Sequence, residues 1–530
     1  MRARNSYLLA LLSGILLLLS YPPFNLGFLA WFAFVPILIA IYYETKAKRT
    51  HTLQLVMGIC LVPILLGISK GVFEIFLPTV VAWFLGVIVA LFVVGYVVWP
   101  AESCAQPKQL PRPRLSYLPS GWQIFILPIA ATAGEFLALN IPAVMKITGS
   151  LASVSISRTQ WLTPSILQLA SFTGMYGVTF LIWLVNSALA YGIVHYQDAR
   201  RVSKQAIAVV LVFIIVFVCG WISLPEPVTG DTTVVIIQAK PETMERQHIN
   251  ELYADWSEYS LKYEPEIILW SRWAKHDPLE NVGPFADQYV SFSQENDVYL
   301  TDGDNIVFPD GSVVHYYSPY HGLVAGHVFD GLVPFDPDKL FPELHGFDAR
   351  SGKFGLLGCL EFGPTLPARQ WVKGGAQFVA GTSGTRPVIG TLPGLHGGNA
   401  AYRAVEHRIY TAFFYRDNDS ILVDPYGRIM EDIAPEPEIV AGKIAFTNER
   451  TFYSKYGDIF GFTILGLFVA LLSYNTYLKR KSPYTFCKEC KAQIEKGTKV
   501  CPKCGEQQKR SWFKGTLIYQ LWERISKKQK

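Results

Sequence analysis

From the N-terminus to about Leu224 the chain alternates long apolar runs with short polar gaps. From Asp231 to about Arg450 charge is dispersed as in ordinary globular sequence, and one apolar run returns at about 460–477. A helix needs about 20 apolar residues to cross a bilayer. The pattern predicts about eight spans, at roughly 6–22, 26–43, 52–69, 77–99, 121–140, 165–195, 206–224 and 458–478. The first run follows the basic start Met1-Arg-Ala-Arg4 but lacks a small-x-small cleavage site, and a second run follows almost at once, so it is read as a retained span.

Between the seventh and eighth spans, strand-like apolar runs recur at 232–238, 266–270, 298–301, 354–359, 377–380 and 420–424, with helix-length gaps between them. The segment 400–414 predicts a helix entering a strand. The fold class is therefore a polytopic α-helical membrane protein with an inserted α/β domain. Its boundaries are 1–228 for seven spans, 229–450 for the insert, 456–480 for the last span, 484–508 for a cysteine ribbon and 509–530 for a basic tail.

Composition agrees with this division: 50% of the 530 residues are hydrophobic, 17% are charged, and mean hydropathy is +0.24. Lysine and arginine near span ends stay on the cytoplasmic side. Arg2 and Arg4 precede the first span, and Lys46 to Arg49, Lys108 to Arg114, Arg200 to Lys204 and Lys479 to Lys481 follow the second, fourth, sixth and eighth. This alternation predicts an inner-membrane protein with both termini cytoplasmic and the insert extracytoplasmic. Net charge is only +5 and the cations adjoin spans, which argues against a nucleic-acid partner.

One candidate nucleophile stands out. Cys359 ends the run Lys353-Phe-Gly-Leu-Leu-Gly-Cys-Leu-Glu361, a strand end from which a thiol can project into a pocket. Taken alone, such a cysteine is more often an ordinary core residue. Glu135 sits within a predicted span, where a charge is costly, and so marks a substrate cavity or a helix interface.

Several stretches fall in an order that resembles the apolipoprotein N-acyltransferase family. They are Gly134-Glu-Phe136, Gln168 to Phe180 through Asn186, Leu332-Val-Pro-Phe335, Gly358-Cys-Leu-Glu361, Gly374-Gly-Ala-Gln-Phe378 and Arg403-Ala-Val-Glu-His-Arg408. The resemblance implies that the insert is a nitrilase-like (carbon-nitrogen hydrolase) α/β sandwich. It implies transfer of an acyl chain from a membrane phospholipid, through a cysteine thioester, to the N-terminal amine of a diacylglyceryl lipoprotein. It also implies a Cys-Glu-Lys triad, of which only Cys359 matches. Arg272 stands at the family's glutamate position and Phe329 at its lysine position. Arginine stays protonated and cannot act as a general base. A guanidinium near Cys359 would favour thiolate. If the segment stays extended, Glu361 shares a face with Cys359 and is the substitute base.

Beyond the last span, Cys487-Lys-Glu-Cys490 and Cys501-Pro-Lys-Cys504 form two Cys-x-x-Cys knuckles, the spacing of a zinc ribbon. Four thiolates in the reducing cytoplasm predict a structural Zn site with no open coordination position. The tail from Lys509, with Leu517, Ile518, Leu521, Trp522 and Ile525 among cations, predicts a helix lying on the anionic inner leaflet or packed on the ribbon. Two readings of function follow: a lipoprotein acyltransferase, or a non-catalytic relative that binds lipid or lipoprotein and scaffolds an unnamed cytoplasmic partner through its ribbon.

Overall fold

The computed structural model describes residues 3–22, 24–46, 122–140, 155–227, 230–238, 246–270, 284–303, 305–316, 344–383, 393–415, 420–430, 438–481, 484–487, 493–495 and 497–507. The apolar helices and the insert belong to one compact unit and the ribbon to a second, divided after Phe468.

The apolar runs form helices α1 (Ala3–Ser20), α2 (Val35–Lys46), α3 (Ile126–Asn140), α4 (Pro164–Leu167), α5 (Ala170–Thr173), α6 (Met175–Ala199), α7 (Lys204–Ile222) and, after the insert, α13 (Ile459–Lys481). Two of these, α6 and α7, are long and apolar enough to cross a membrane. The expected spans at 52–69 and 77–99 lie outside the described residues.

Two expected spans prove to be broken. The run at 26–43 is a 3-10 turn, Gly27–Trp31, followed by α2. Asn186 of α6 mends that break: its Oδ1 accepts from Phe34 N at 2.9 Å and its Nδ2 donates to Ala30 O at 2.9 Å. The run at 165–195 is interrupted by Gly174 at φ +64. A Cβ at Gly174 would meet the Tyr453 ring at 2.5 Å, so glycine serves both the left-handed turn and the close approach. Hydrophobicity continues through this corner, with Ala170, Met175 and Tyr176 buried and Phe172 exposed, which is why the run read as one long span.

The insert is a sandwich of two mixed sheets. The first has the order β11 (Ile439–Ile444), β1 (Thr232–Ile237), β2 (Pro265–Trp270), β3 (Tyr299–Thr301), β4 (Asn305–Val307) and β5 (Val313–His315). The second has the order β10 (Ile421–Val423), β9 (Tyr410–Tyr415), β8 (Phe378–Ser383), β7 (Lys353–Leu357) and β6 (Phe347–Asp348). Strands β1, β2 and β3 run parallel, as do β7, β8 and β9.

Every residue of β1 and β2 is buried, so both faces of the strand are apolar rather than alternating. Val234, Ile236, Ile267 and Leu269 meet Phe354, Leu356, Phe378 and Phe414 between the sheets. Val235, Ile237, Ile268 and Trp270 face Tyr253 of α8 (Arg246–Ser260) and Tyr289 of α9 (Pro284–Asn296). Helices α10 (Thr365–Lys373) and α11 (Pro393–His407) cover the second sheet's outer face, with Trp371 against Gly355 at 2.6 Å from a Cβ built there. The expected helix entering a strand is α11 followed by β9.

The short helix α12 (Phe452–Tyr456) joins the sandwich to α13. In the second unit, β12 (Tyr484–Phe486) pairs antiparallel with β13 (Gln493–Glu495).

Candidate active site

Strand β7 ends at Leu357, and the chain turns at once into a 3-10 turn, Cys359–Phe362. The expectation that Cys359 and Glu361 share a face of an extended strand is corrected here. At three residues per turn, positions i and i+2 lie roughly 240° apart. Glu361 instead closes its own turn: Glu361 N donates to Gly358 O at 3.0 Å, and Gly358 N donates to Glu361 Oε2 at 2.8 Å. The cause is local, since the Gly358 amide has left the β-ladder and a buried N–H needs an acceptor.

Phe362 packs edge-on to Phe413, ring centres 5.4 Å apart, and lies directly over Gly381 of β8. Gly303, in the turn after β3, lies directly against Thr382. The C-terminal ends of β3, β7 and β8 therefore meet at one edge of the sandwich. Buried Asp302 is at this edge too, but it accepts from Asn305 N at 2.8 Å and from Asn305 Nδ2 at 3.0 Å, which is turn-building work. Arg272 and Phe329 lie outside the described residues, as does Cys490.

Behind this edge the sandwich meets the apolar helices through a buried polar seam. Arg158, in the 3-10 turn Ile156–Gln160, is fully buried. Its Nη1 donates to Gly398 O and its Nη2 to Gly363 O, both at 3.2 Å, and its guanidinium stands 4.7 Å from the Tyr402 ring centre. Tyr402 in turn donates to Ser157 O at 2.8 Å.

On the next turn of α11, Arg403 Nη1 pairs with Glu406 Oε2 at 3.0 Å, with both side chains fully buried. Glu406 Oε1 accepts from Met175 N at 2.9 Å, which caps the first turn of α6 with a carboxylate. Glu135 of α3 accepts from Ser155 Oγ at 2.8 Å and Thr179 Oγ1 at 3.0 Å, so it lies at the α3–α6 interface.

Burial pulls the Arg158 guanidinium down to about 10, helped by Arg403, and it remains a cation at neutral pH. Burial pushes the Glu406 carboxyl up to about 7 against the opposing pull of Arg403 and Arg158. His407 is held neutral: burial first, then Arg403, Arg369 and Arg450, push its imidazole well below the usual range, and its Nδ1 lies 3.2 Å from Ser454 Oγ.

Sequence reasoning noted Arg403, Glu406 and His407 only as part of a motif and passed over Arg158. The signal for Arg158 was a polar stretch, Ser155 to Gln160, set between apolar runs where a loop needs no such density of hydrogen-bonding groups.

Comparison with known proteins bears on residues on both sides of the seam. Residues 13–188 match the apolipoprotein N-acyltransferase N-terminal domain. An apolipoprotein N-acyltransferase of Geobacter metallireducens is 24% identical over 501 residues, covering 86% of this chain and 92% of its own. One from Thermotoga maritima is 26% identical over 514 residues, covering 89% and 94%. The chain is similar to the apolipoprotein N-acyltransferases over most of its length.

The matched N-terminal domain includes Arg158, on the helical side of the seam, and Glu135 and Asn186 within the helices. The alignments with the two N-acyltransferases run on over most of the chain. Among solved structures, an amidase from Nesterenkonia sp. is 14% identical, covering 43% of this chain and 94% of its own with a TM-score of 0.31. Saccharomyces cerevisiae Nit3, a member of branch 10 of the nitrilase superfamily, is 17% identical, covering 40% and 90% with a TM-score of 0.31.

In the second unit, Cys487, Cys501 and Cys504 bring their sulfurs within 4.8 Å of one another. Cys487 Sγ and Cys504 Sγ are 3.6 Å apart, too far for a disulfide. A tetrahedral zinc with Zn–S near 2.3 Å has an S···S edge of about 3.8 Å, so the donor set fits that ion. The turn supports it: Gly505 N donates to Cys501 O at 2.9 Å with Gly505 at φ +72.

Proposed function

We propose that this chain is a membrane-embedded acyltransferase of the apolipoprotein N-acyltransferase kind, with Cys359 as acyl carrier. The observation that carries the reading is the position of Cys359, on the turn leaving β7 at the edge where strand ends converge, in a chain aligned with two such enzymes over most of its length. The sulfur bonds to the acyl carbonyl carbon of a phospholipid, the ester C–O bond breaks, and the lysophospholipid hydroxyl leaves with the thiol proton. The amine of a diacylglyceryl lipoprotein then displaces the sulfur, forming the amide and returning the thiol.

In this reading the sandwich is nitrilase-like and extracytoplasmic, held between the seventh and eighth of about eight spans. Its contacts support that arrangement. Arg158 precedes α6, Met175 begins it, Arg428 donates to Pro225 O at 2.7 Å just after α7, and Asp458 precedes α13. All four contacts fall at helix ends that the charge pattern assigns to one side. The ribbon lies beyond α13 in the cytoplasm and holds a structural zinc through Cys487, Cys490, Cys501 and Cys504.

A second reading is favoured by Arg272 and Phe329 at the family's glutamate and lysine positions. Loss of a general base costs about 10² to 10⁴ in rate, and loss of an oxyanion donor about 10² to 10³. The engagement of Glu361 with Gly358 N weakens the case for a substitute base. The chain is then a pseudoenzyme that binds lipid or lipoprotein and scaffolds through its ribbon.

Intact-protein mass spectrometry after incubation with phospholipid vesicles decides between them. A hydroxylamine-labile adduct lost in Cys359→Ser supports acyl transfer. No adduct, where an active relative forms one, sinks it.

A further inference from the structure

The turn that carries Cys359 is gripped just beyond its end by two groups that belong to the helical part of the chain. Arg158 Nη2 donates to Gly363 O at 3.2 Å while Nη1 holds Gly398 O on α11. Thr365, the first residue of α10, donates through Oγ1 to Asp458 Oδ2 at 3.2 Å, and Asp458 Oδ1 also accepts from Tyr453 OH at 2.7 Å. Asp458 immediately precedes α13, and Gly457 beside it lies directly against the guanidinium of Arg369 on α10.

The sandwich's own contribution to this turn is a different set of contacts: the Glu361–Gly358 closure and Phe362 over Gly381. Those fix the turn's shape and its seat on β8. Nothing in them fixes its approach to a substrate held by the helices, whereas Arg158 and Asp458 do. A guanidinium spanning two carbonyls and a carboxylate spanning two hydroxyls are charge-assisted, two-point grips, and they set orientation as well as distance.

We propose that Arg158 and Asp458 are positioning residues for Cys359, which register the nucleophile turn against the apolar helices through Gly363 O and Thr365 Oγ1. The inference rests on the acyl-carrier reading of Cys359. Its consequence is that Cys359 chemistry depends on bonds made by the helical part even though the cysteine sits on the sandwich.

The test uses the full chain in lipid nanodiscs, with iodoacetamide alkylation followed over time at the Cys359 and Cys219 peptides by mass spectrometry. The variants are Arg158→Lys, which cannot span both carbonyls, Asp458→Asn, Thr365→Val and Thr365→Ser. Loosening the turn is expected to raise the Cys359 alkylation rate at least fivefold in the first three. Cys219 should change less than twofold, and Thr365→Ser, which keeps the hydroxyl, should match the wild type.

Unchanged Cys359 alkylation in every variant that keeps a wild-type melting profile overturns the proposal and leaves these bonds as glue between the two parts. Thr365→Val carries the test should the Arg158 or Asp458 variants fail to fold. Adduct formation from phospholipid is measured in parallel on the wild type. Its absence there refutes the acyl-carrier reading while the alkylation result still stands or falls on its own.

Discussion

At the seam, Arg158, Arg403 and Glu406 are withdrawn from solvent among groups the chain itself supplies: a paired carboxylate, backbone carbonyls and a helix N-terminus. In the ribbon, Cys487, Cys501 and Cys504 gather around a buried core of Cys487, Ile494 and Cys501, with two sulfurs 3.6 Å apart. Burying charge is tolerable only when each charge is answered, and the seam answers its charges internally. A ribbon this small cannot stand on apolar burial, and its three gathered thiols are matched by a tetrahedral cation. The seam is thus a protein-only solution, and the ribbon is one that the proposed zinc would complete.

The largest effect should come from removing that cation. The full chain purified without chelator is expected to carry about one zinc per chain, read by elemental analysis. A strong chelator should release it and expose Cys487, Cys501 and Cys504 to alkylation, because structural zinc supplies on the order of 10 kcal/mol to such folds. Retention of thiol protection after the zinc has gone would break the comparison, since the ribbon would then be self-sufficient as well.

The seam should fail next when one partner is removed. Glu406→Ala removes the acceptor for Met175 N together with the partner of Arg403, and leaves a buried amide and a buried guanidinium unanswered. The cost is expected at about 3–5 kcal/mol, measured by denaturant titration in detergent, with zinc content unchanged. A cost near zero would mean that the pair is dispensable and that the seam is held by its carbonyl bonds alone.

The difference between the two clusters also explains what could be read in the sequence. Cysteine spacing announces a ribbon because ligands come in short local pairs, so Cys487, Cys501 and Cys504 fall together as expected. The strands were legible for a similar reason: β1, β2 and β7 are apolar on both faces and stand out as runs. The seam is non-local. Arg158 and Gly363 are joined across more than 200 positions, and nothing in Ser155 to Gln160 names its partners. The two breaks in the apolar runs, at Gly27–Trp31 and at Gly174, were hidden because the sequence stays apolar through both corners. Glu361 was misjudged by assuming that β7 stays extended to position 361, when its last ladder residue is Leu357.

Gly174 offers a smaller perturbation of the same seam, aimed at backbone rather than charge. Gly174→Ala forces a Cβ into a left-handed φ of +64 and to within 2.5 Å of the Tyr453 ring. With ψ at −175 this is a conformation essentially only glycine adopts, and it alone costs about 1–3 kcal/mol, while overpacking adds about 1 kcal/mol or more. The expected loss is about 2–4 kcal/mol, and Tyr453→Leu should return part of it by clearing the ring. A neutral Gly174→Ala would show that the corner between α5 and α6 yields freely and that the seam tolerates movement at the α6 N-terminus.

The smallest effect concerns protons and separates charge from packing within the seam. His407 is buried beside Arg403, Arg369 and Arg450 and stays neutral in the folded chain, while in the unfolded chain it titrates near 6.5. A depressed folded value means that the stabilisation is present above about pH 6.5 and is lost as pH falls, at up to about 1.4 kcal/mol per pH unit. Glu406 acts in the opposite sense. Its folded value is raised to about 7 from 4.5, so its contribution is full below 4.5 and declines as pH rises through 7. The two slopes oppose each other between about pH 4.5 and 6.5, and the net pH dependence of the wild type should be shallow there. His407→Gln removes one slope and leaves the other. Stability should then increase as pH falls over that window relative to the wild type, with a difference of about 1.4 kcal/mol at pH 5.5, read by paired denaturant titrations. Parallel curves for the two proteins would mean that His407 takes up its proton in place, and that the arginines around it are better screened than their burial implies.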